Sequence, residues 1–233
     1  MMLTVKEVAR LFSVSEKSVY KWIARREIPA YRIGESYRFN RVELLEWATG
    51  KKIAVSPDII NSSFEDDSSR ISLTQAVMAG GIHRDVPGHD TASVLAAIVG
   101  MIHLPQDIDR SLLTDALIAR ENLGTTAIGN GIAIPHVRNP IVFNMDSPVL
   151  ALCFLKKGVE FNALDKQPVD TLFTIVSPSV RTHLNTLSRL SFALYRSDIR
   201  TVIDSGRSDD EILAALAKFE ESLDNGHMQQ IPH

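Results

Sequence analysis

Seven histidines are the side chains here best suited to chemistry near neutral pH, and one stands apart by its setting. His136 follows Gly129-Asn130-Gly131-Ile132-Ala133-Ile134-Pro135: a glycine pair, a short apolar strand and a proline that fixes the backbone direction. Loop positions held by rigid strands are where reactive side chains are commonly placed. His183 opens a helical pattern at 182–195 with Thr182 as its cap, and Arg120 ends another just before Gly124. A histidine that accepts a phosphoryl group needs one ring nitrogen free to attack and the other held by a hydrogen bond. It also needs donors for the phosphoryl oxygens: an arginine, a second histidine, or backbone N–H groups beside glycine. Arg120, Gly129, Gly131, His136 and His183 supply each part, though spacing alone does not bring them together.

The other histidines read as ordinary. His83, His89 and His103 lie in loops or near a helix end, and His227 and His233 fall in a polar tail at 223–233. There is no HExxH and no Cys/His ligand spacing, so no metal is expected. Cys153 is the single cysteine, which excludes an intramolecular disulfide; in an apolar strand it reads as a small buried hydrophobe. Neither Gly80-Gly81 nor Gly129–Gly131 sits in a nucleotide-binding pattern, so no cofactor is expected.

The elements that must position these residues form an α/β pattern from about residue 71. Helical periodicity is clearest at 92–103, 109–121, 182–195 and 209–219, with buried strands at 132–135, 149–155 and 171–176. The stretch 104–110 connects two helices. The chain has 233 residues, 45% hydrophobic and 23% charged, with a net charge of −3, which excludes wholesale disorder. No apolar run is long enough to span a membrane, and the first residues lack the pattern of a secretory signal. A reducing cytoplasm is the expected compartment.

The net charge conceals two modules. Residues 1–52 carry +5 and the remainder −8. Between them, 51–70 is polar and aperiodic and reads as a linker, with a reach of roughly 25 Å if flexible. In the head, 1–50, Thr4 and Glu7 form a capping box before Val5, Val8, Ala9 and Phe12. After the break Ser13-Val14-Ser15, Ser15 caps a second helix that turns Val19, Trp22 and Ile23 inward. Glu16, Lys17, Ser18, Lys21 and Arg25 are left outside. Residues 30–40 alternate as two short strands around Gly34, and Asn40 with Glu43 starts a third helix.

Helix, tight turn, polar-faced helix and hairpin fit a helix-turn-helix, whose second helix suits the major groove of DNA. Lys17, Lys21, Arg25 and Arg26 supply phosphate or base contacts, and Arg32 and Arg38 reach the flanking backbone or minor groove from the hairpin. Residues 3–48, from LTVKEVA through VSEKSVYKWI, IPAYRIG and YRF to LLEWA, resemble the excisionase-type, MerR-related helix-turn-helix domain. That resemblance implies a small winged domain with Lys17, Ser18, Lys21, Arg25, Arg32 and Arg38 on DNA. A single copy has a short footprint, so tight binding calls for a homodimer or a second copy.

Residues 71–222 resemble the enzyme IIA domain of the fructose/mannitol class of the bacterial phosphotransferase system, in its nitrogen-regulatory branch. The motifs are ALIARENLGTTAIGNGIAIPH at 116–136, GVEFNALDKQPVDTLF at 158–173 and RTHLNTLSRL at 181–190. The resemblance implies a mixed sheet flanked by helices, with His136 phosphorylated by the histidine phosphocarrier HPr or its nitrogen-branch paralogue. His183 then positions the phosphoryl group, Arg120 lies beside it, and Asn130 with Gly129 and Gly131 shapes the pocket. One departure is the sequel Val137-Arg138-Asn139-Pro140, where the family often has a small residue after the histidine; Arg138 would add positive potential or alter docking of the donor.

The expected function is a regulator that couples phosphoenolpyruvate-dependent phosphorylation to DNA binding. The alternatives are a phosphocarrier serving a separate sugar permease component, with no membrane insertion of its own, and an unphosphorylated regulator that binds a kinase or transporter.

Overall fold

The computed structural model describes residues 2–50, 71–106, 108–137 and 145–224. The chain divides into two compact units, Met1–Arg70 and Ile71–His233. The 51–70 segment, Arg138, Asn139 and Pro140, and the tail beyond 224 lie outside the described residues.

In the first unit, β1 (Met2–Leu3) leads to α1 (Val5–Leu11), which Thr4 and Glu7 start as a reciprocal capping box. α1 ends with Ser13 at φ 52°, where Ser13 N–H bonds Arg10 O and Val14 N–H bonds Ala9 O. This Schellman closure satisfies the last carbonyls and turns the chain into α2 (Glu16–Ala24), capped by Ser15. Arg26, at φ 54°, closes α2 the same way. The hairpin β2 (Tyr31–Ile33) and β3 (Ser36–Asn40) pairs Ile33 with Ser36, and β1 adds to the other edge of β3. α3 (Arg41–Gly50) follows. Phe12, Trp22 and Trp47 meet edge to face, with ring centroids 5.2 to 6.2 Å apart, over buried Val8, Val19 and Phe39.

The second unit runs α4 (Leu73–Gly80), β4 (Ile82–Val86), α5 (Thr91–Met101), α6 (Arg110–Asn122), β5 (Ala127–Gly129), β6 (Ile132–Ala133), β7 (Val149–Val159), β8 (Val169–Val176), α7 (Val180–Tyr195), α8 (Ser197–Asp204) and α9 (Asp209–Asp224). The sheet order is β4-β7-β8-β6-β5. β4 lies parallel to β7, β7 antiparallel to β8, β8 parallel to β6, and β6 antiparallel to β5.

Alternation along the central strands splits the core into two layers. Ala151, Cys153, Leu172 and Val176 pack under α5 and α6 with Val94, Leu95, Ile98, Leu113 and Leu117. Leu150, Leu152, Phe173 and Ile175 pack on the other face with Leu187, Leu190, Ile212, Leu216 and Phe219 from α7 and α9. The result is a mixed sheet between two helical layers. α4 presses so closely on β7 that a Cβ on Gly80 would sit 2.5 Å from the Leu150 carbonyl.

α4, β4 and α8 are not among the elements picked out by periodicity. Gly81, at φ 89°, ends α4 and leads directly into β4.

Candidate functional site

The extended run from Ile132 continues past β6 to His136, which pairs with Ile175 in the same parallel register as Ile132 with Thr171. Ile175 N–H donates to Pro135 O at 2.9 Å, which fixes the end of this strand on β8. Paired residues point to the same side of a sheet, so His136 faces the α7 layer together with Ile175. β8 then leads through Ser177-Pro178 into α7. Both histidines therefore lie where two adjacent parallel strands end.

The helix does not begin where expected. Ser179, not Thr182, caps α7: its Oγ accepts from Thr182 N–H at 3.1 Å. Thr182 is the third helical residue, and His183 lies in the first turn. Pro178 sets the earliest start, since it cannot supply the N–H of a helix interior, and Ser179 is the first residue after it that can cap.

His136 and His183 are 3% and 1% exposed, and their ring centroids stand 5.2 Å apart with planes tilted by 38°. His136 Nδ1 lies 2.7 Å from Ile134 O. A carbonyl only accepts, so Nδ1 carries the proton and the ring's lone pair resides on Nε2. His183 sits within the first turn of α7, where backbone N–H groups and the helix dipole favour negative charge. A buried imidazole with a defined nucleophilic nitrogen, a second imidazole beside it and a helix start form a site for an anionic group.

Arg120 lies in the last turn of α6, half-buried, and its Nη1 donates to Gly124 O at 2.8 Å. Val137 is buried in the opposite layer, so its bulk packs away from the His136 face.

Gly129, Asn130 and Gly131 are not brought to the histidines. They close the β5–β6 hairpin with φ of 85°, 53° and 76°, the left-handed pair Asn130-Gly131 forming the two-residue turn. Asn130 N–H donates to Asp165 Oδ2 at 2.6 Å, and Gly131 O accepts from Asp170 and Thr171 N–H. Four extended residues lie between Gly131 and His136, five steps or about 16 Å of strand, so the turn marks the opposite end of the sheet. β6 runs away from its own turn, so the turn and His136 stand at opposite ends of that strand.

In the first unit Lys17, Lys21, Arg25 and Arg32 are exposed, while Ser18 and Arg38 are half-buried. Ser18 serves the helix: its N–H and hydroxyl both bond Ser15 Oγ. Arg32 bonds Gly34 O and Arg38 bonds Tyr37 O, so both guanidinia are tied to the hairpin. Tyr20 on α2, 50% exposed, meets Tyr37 on β3 edge to face at 6.4 Å. This contact couples the outer face of α2 to the hairpin and was not legible as a pair in the sequence. Among the described residues no cluster has the composition of a metal site, and no helix is long and apolar enough to cross a membrane.

Residues 79–219 match the family model described as "Phosphoenolpyruvate-dependent sugar phosphotransferase system, EIIA 2", and residues 2–52 match a helix-turn-helix domain model. A nitrogen regulatory protein of Pseudomonas aeruginosa is 39% identical over 134 residues, 56% of this chain and 84% of that one. A fructose-specific EIIA component from Haloferax volcanii is 35% identical over 48% of this chain and 73% of that one. The crystal structure of nitrogen regulatory protein IIA-Ntr from Neisseria meningitidis has a TM-score of 0.54 at 25% identity, covering 62% of this chain and 98% of that one.

Proposed function

This chain belongs to the EIIA 2 family of the phosphoenolpyruvate-dependent sugar phosphotransferase system, and from that premise we propose that it is a regulator that takes a phosphoryl group on His136. The observation that carries the reading is the hydrogen bond from His136 Nδ1 to Ile134 O, which leaves Nε2 as the nucleophile. Nε2 attacks the phosphorus of a phosphohistidine on an HPr-type carrier. A new N–P bond forms at Nε2, and the old one breaks with its electron pair returning to the donor ring. His136 keeps its Nδ1 proton, and the positive charge the ring gains lies against the Ile134 carbonyl. His183 and the first turn of α7 receive the phosphoryl oxygens. Arg120 adds a fixed positive charge at the end of α6.

The helix-turn-helix unit is the DNA-binding module, with Lys17, Lys21 and Arg25 on the groove-facing helix and Arg32 and Arg38 on the wing. Phosphorylation adds nearly two negative charges to an acidic domain, and this change is coupled to DNA binding by the head. The partners are an HPr-type carrier and DNA, with a homodimer supplying the second half-site.

The test is label transfer to the purified full chain from labelled phosphoenolpyruvate through enzyme I and an HPr-type donor. Acid-labile label that disappears in His136→Ala supports the assignment, and absence of label with every donor overturns it. Footprinting with and without phosphorylation tests the coupling, which fails if both forms bind one site equally. The fructose-specific name of one relative keeps a second reading in view, a phosphocarrier serving a separate sugar permease, which onward transfer to such a component would reveal.

A further inference from the structure

Ser177 is 2% exposed, and its Oγ has no hydrogen-bond partner among the described residues. A buried hydroxyl in that state is destabilising, and it calls for a role that the unmodified protein does not display. Its placement supplies one. Ser177 precedes Pro178, which holds its backbone in the extended region, so the alternation of β8 continues one step beyond Val176. Phe173 and Ile175 point to the α7 face, and Ser177 follows them there. That is also the face of His136, which pairs with Ile175 itself. Since His136 lies across from Ile175, Ser177 is its diagonal neighbour on the adjacent strand, about 7–8 Å away, a gap that a phosphoryl group on Nε2 and one hydrogen bond span.

We propose that Ser177 is a hydrogen-bond donor to the phosphoryl group on His136, so that its hydroxyl finds an acceptor only in the phosphorylated protein. The proposal rests on the phosphohistidine reading above. The chemistry matches, since a phosphoryl dianion only accepts and a serine hydroxyl donates. Ser177 stands two residues ahead of Ser179, the cap of α7, so its hydroxyl joins the first-turn N–H groups of that helix. Thr174 of β8, also a buried hydroxyl without a partner among the described residues, alternates to the opposite face and has no such use.

The experiment compares the full-length wild type with Ser177→Ala and Ser177→Thr. For each, it measures the rate of label transfer from the HPr-type donor, the half-life of the phosphohistidine after the donor is removed, and the melting temperature of the unphosphorylated form. Ser177→Ala should still label at His136, with transfer slowed by about tenfold and the half-life shortened, as expected for one hydrogen bond to a charged group. Its unphosphorylated form should melt at or above the wild-type temperature, because an unsatisfied hydroxyl has been removed. Ser177→Thr, which keeps the hydroxyl, should recover most of the half-life. If the wild type labels and Ser177→Ala matches it in rate and half-life, the serine role is overturned while the His136 assignment stands. A lower melting temperature for unphosphorylated Ser177→Ala also overturns it, by showing that the hydroxyl already has a structural task. Failure of the wild type to label removes the phosphohistidine reading and this proposal together.

Discussion

His136 Nδ1 is anchored 2.7 Å from the carbonyl oxygen of Ile134, two residues back along the same strand. The ring is thus held by its own backbone, and that bond ties its orientation to the strand that carries it. The first expectation concerns this pair of imidazoles. His136→Ala should abolish phosphorylation, whereas His183→Ala should retain it on His136 at a rate lowered by about 100-fold, the usual loss on removing one donor to a developing oxyanion. Labelled phosphoenolpyruvate assays with both variants check this.

The Asn130-Gly131 turn should matter for stability and little for transfer. Gly131 sits at φ 76°, and a Cβ there would meet Asp170 Oδ1 at 3.1 Å. Gly131→Ala should destabilise the domain by about 1–2 kcal/mol in urea unfolding while phosphorylation of His136 proceeds normally at a temperature where the variant is folded. Loss of transfer in the folded variant would return the turn to the site.

Lys17 and Lys21 are exposed on α2 and are expected to neutralise DNA phosphates. The double alanine variant should weaken DNA binding and reduce the slope of log K against log salt by about 2, one unit for each lost contact. An unchanged slope would take both lysines off the nucleic acid.

Burial pushes the Cys153 thiol up to about 12. The folded protein should therefore be inert to iodoacetamide at pH 8, where the thiolate is scarce, and should react fully once denatured. A raised folded pKa means that the thiol stays protonated across the physiological range and becomes reactive only above it. Rapid labelling in native buffer would contradict the buried position of this strand.

Glu220 on α9 accepts from Ser72 Oγ, Leu73 N–H and both the N–H and hydroxyl of Thr74, and it lies 3.6 Å from Arg189 of α7. Both charged side chains are nearly buried. Glu220→Ala should cost about 3–5 kcal/mol, because it strands the arginine and uncaps α4. Chemical denaturation of the variant gives the value directly.

Local chemistry made the first unit largely legible: Thr4, Glu7 and Ser15 announce helix starts by their own side chains, and Gly34 marks the hairpin. His136 was legible for the same reason, since a strand and a proline deliver it to an end. What depended on the sheet order was not legible. Gly129–Gly131 adjoin His136 in sequence, but an extended strand separates neighbours faster than any other structure, and only its direction tells which end they occupy. The cap of α7 is ambiguous in the sequence because Thr182 and Ser179 are both good caps three residues apart, and only the structure shows that Ser179 takes the role. β4, half-exposed and mixed in character, has no period to read. Ser177 acquires meaning only once the register of β8 against the histidine strand is known.

The grip of Glu220 on Ser72, Leu73 and Thr74 brings together chain positions that lie 148, 147 and 146 residues apart. The opening of the domain's first helix is thereby fastened to its last. A domain closed on itself in this way behaves as a cassette: whatever is fused ahead of residue 71 attaches beside the fastening, and a pull on that attachment is borne by α4 and α9 before it reaches the sheet. An architecture of this kind can be appended to a helix-turn-helix unit without any alteration of the strands that hold its histidines.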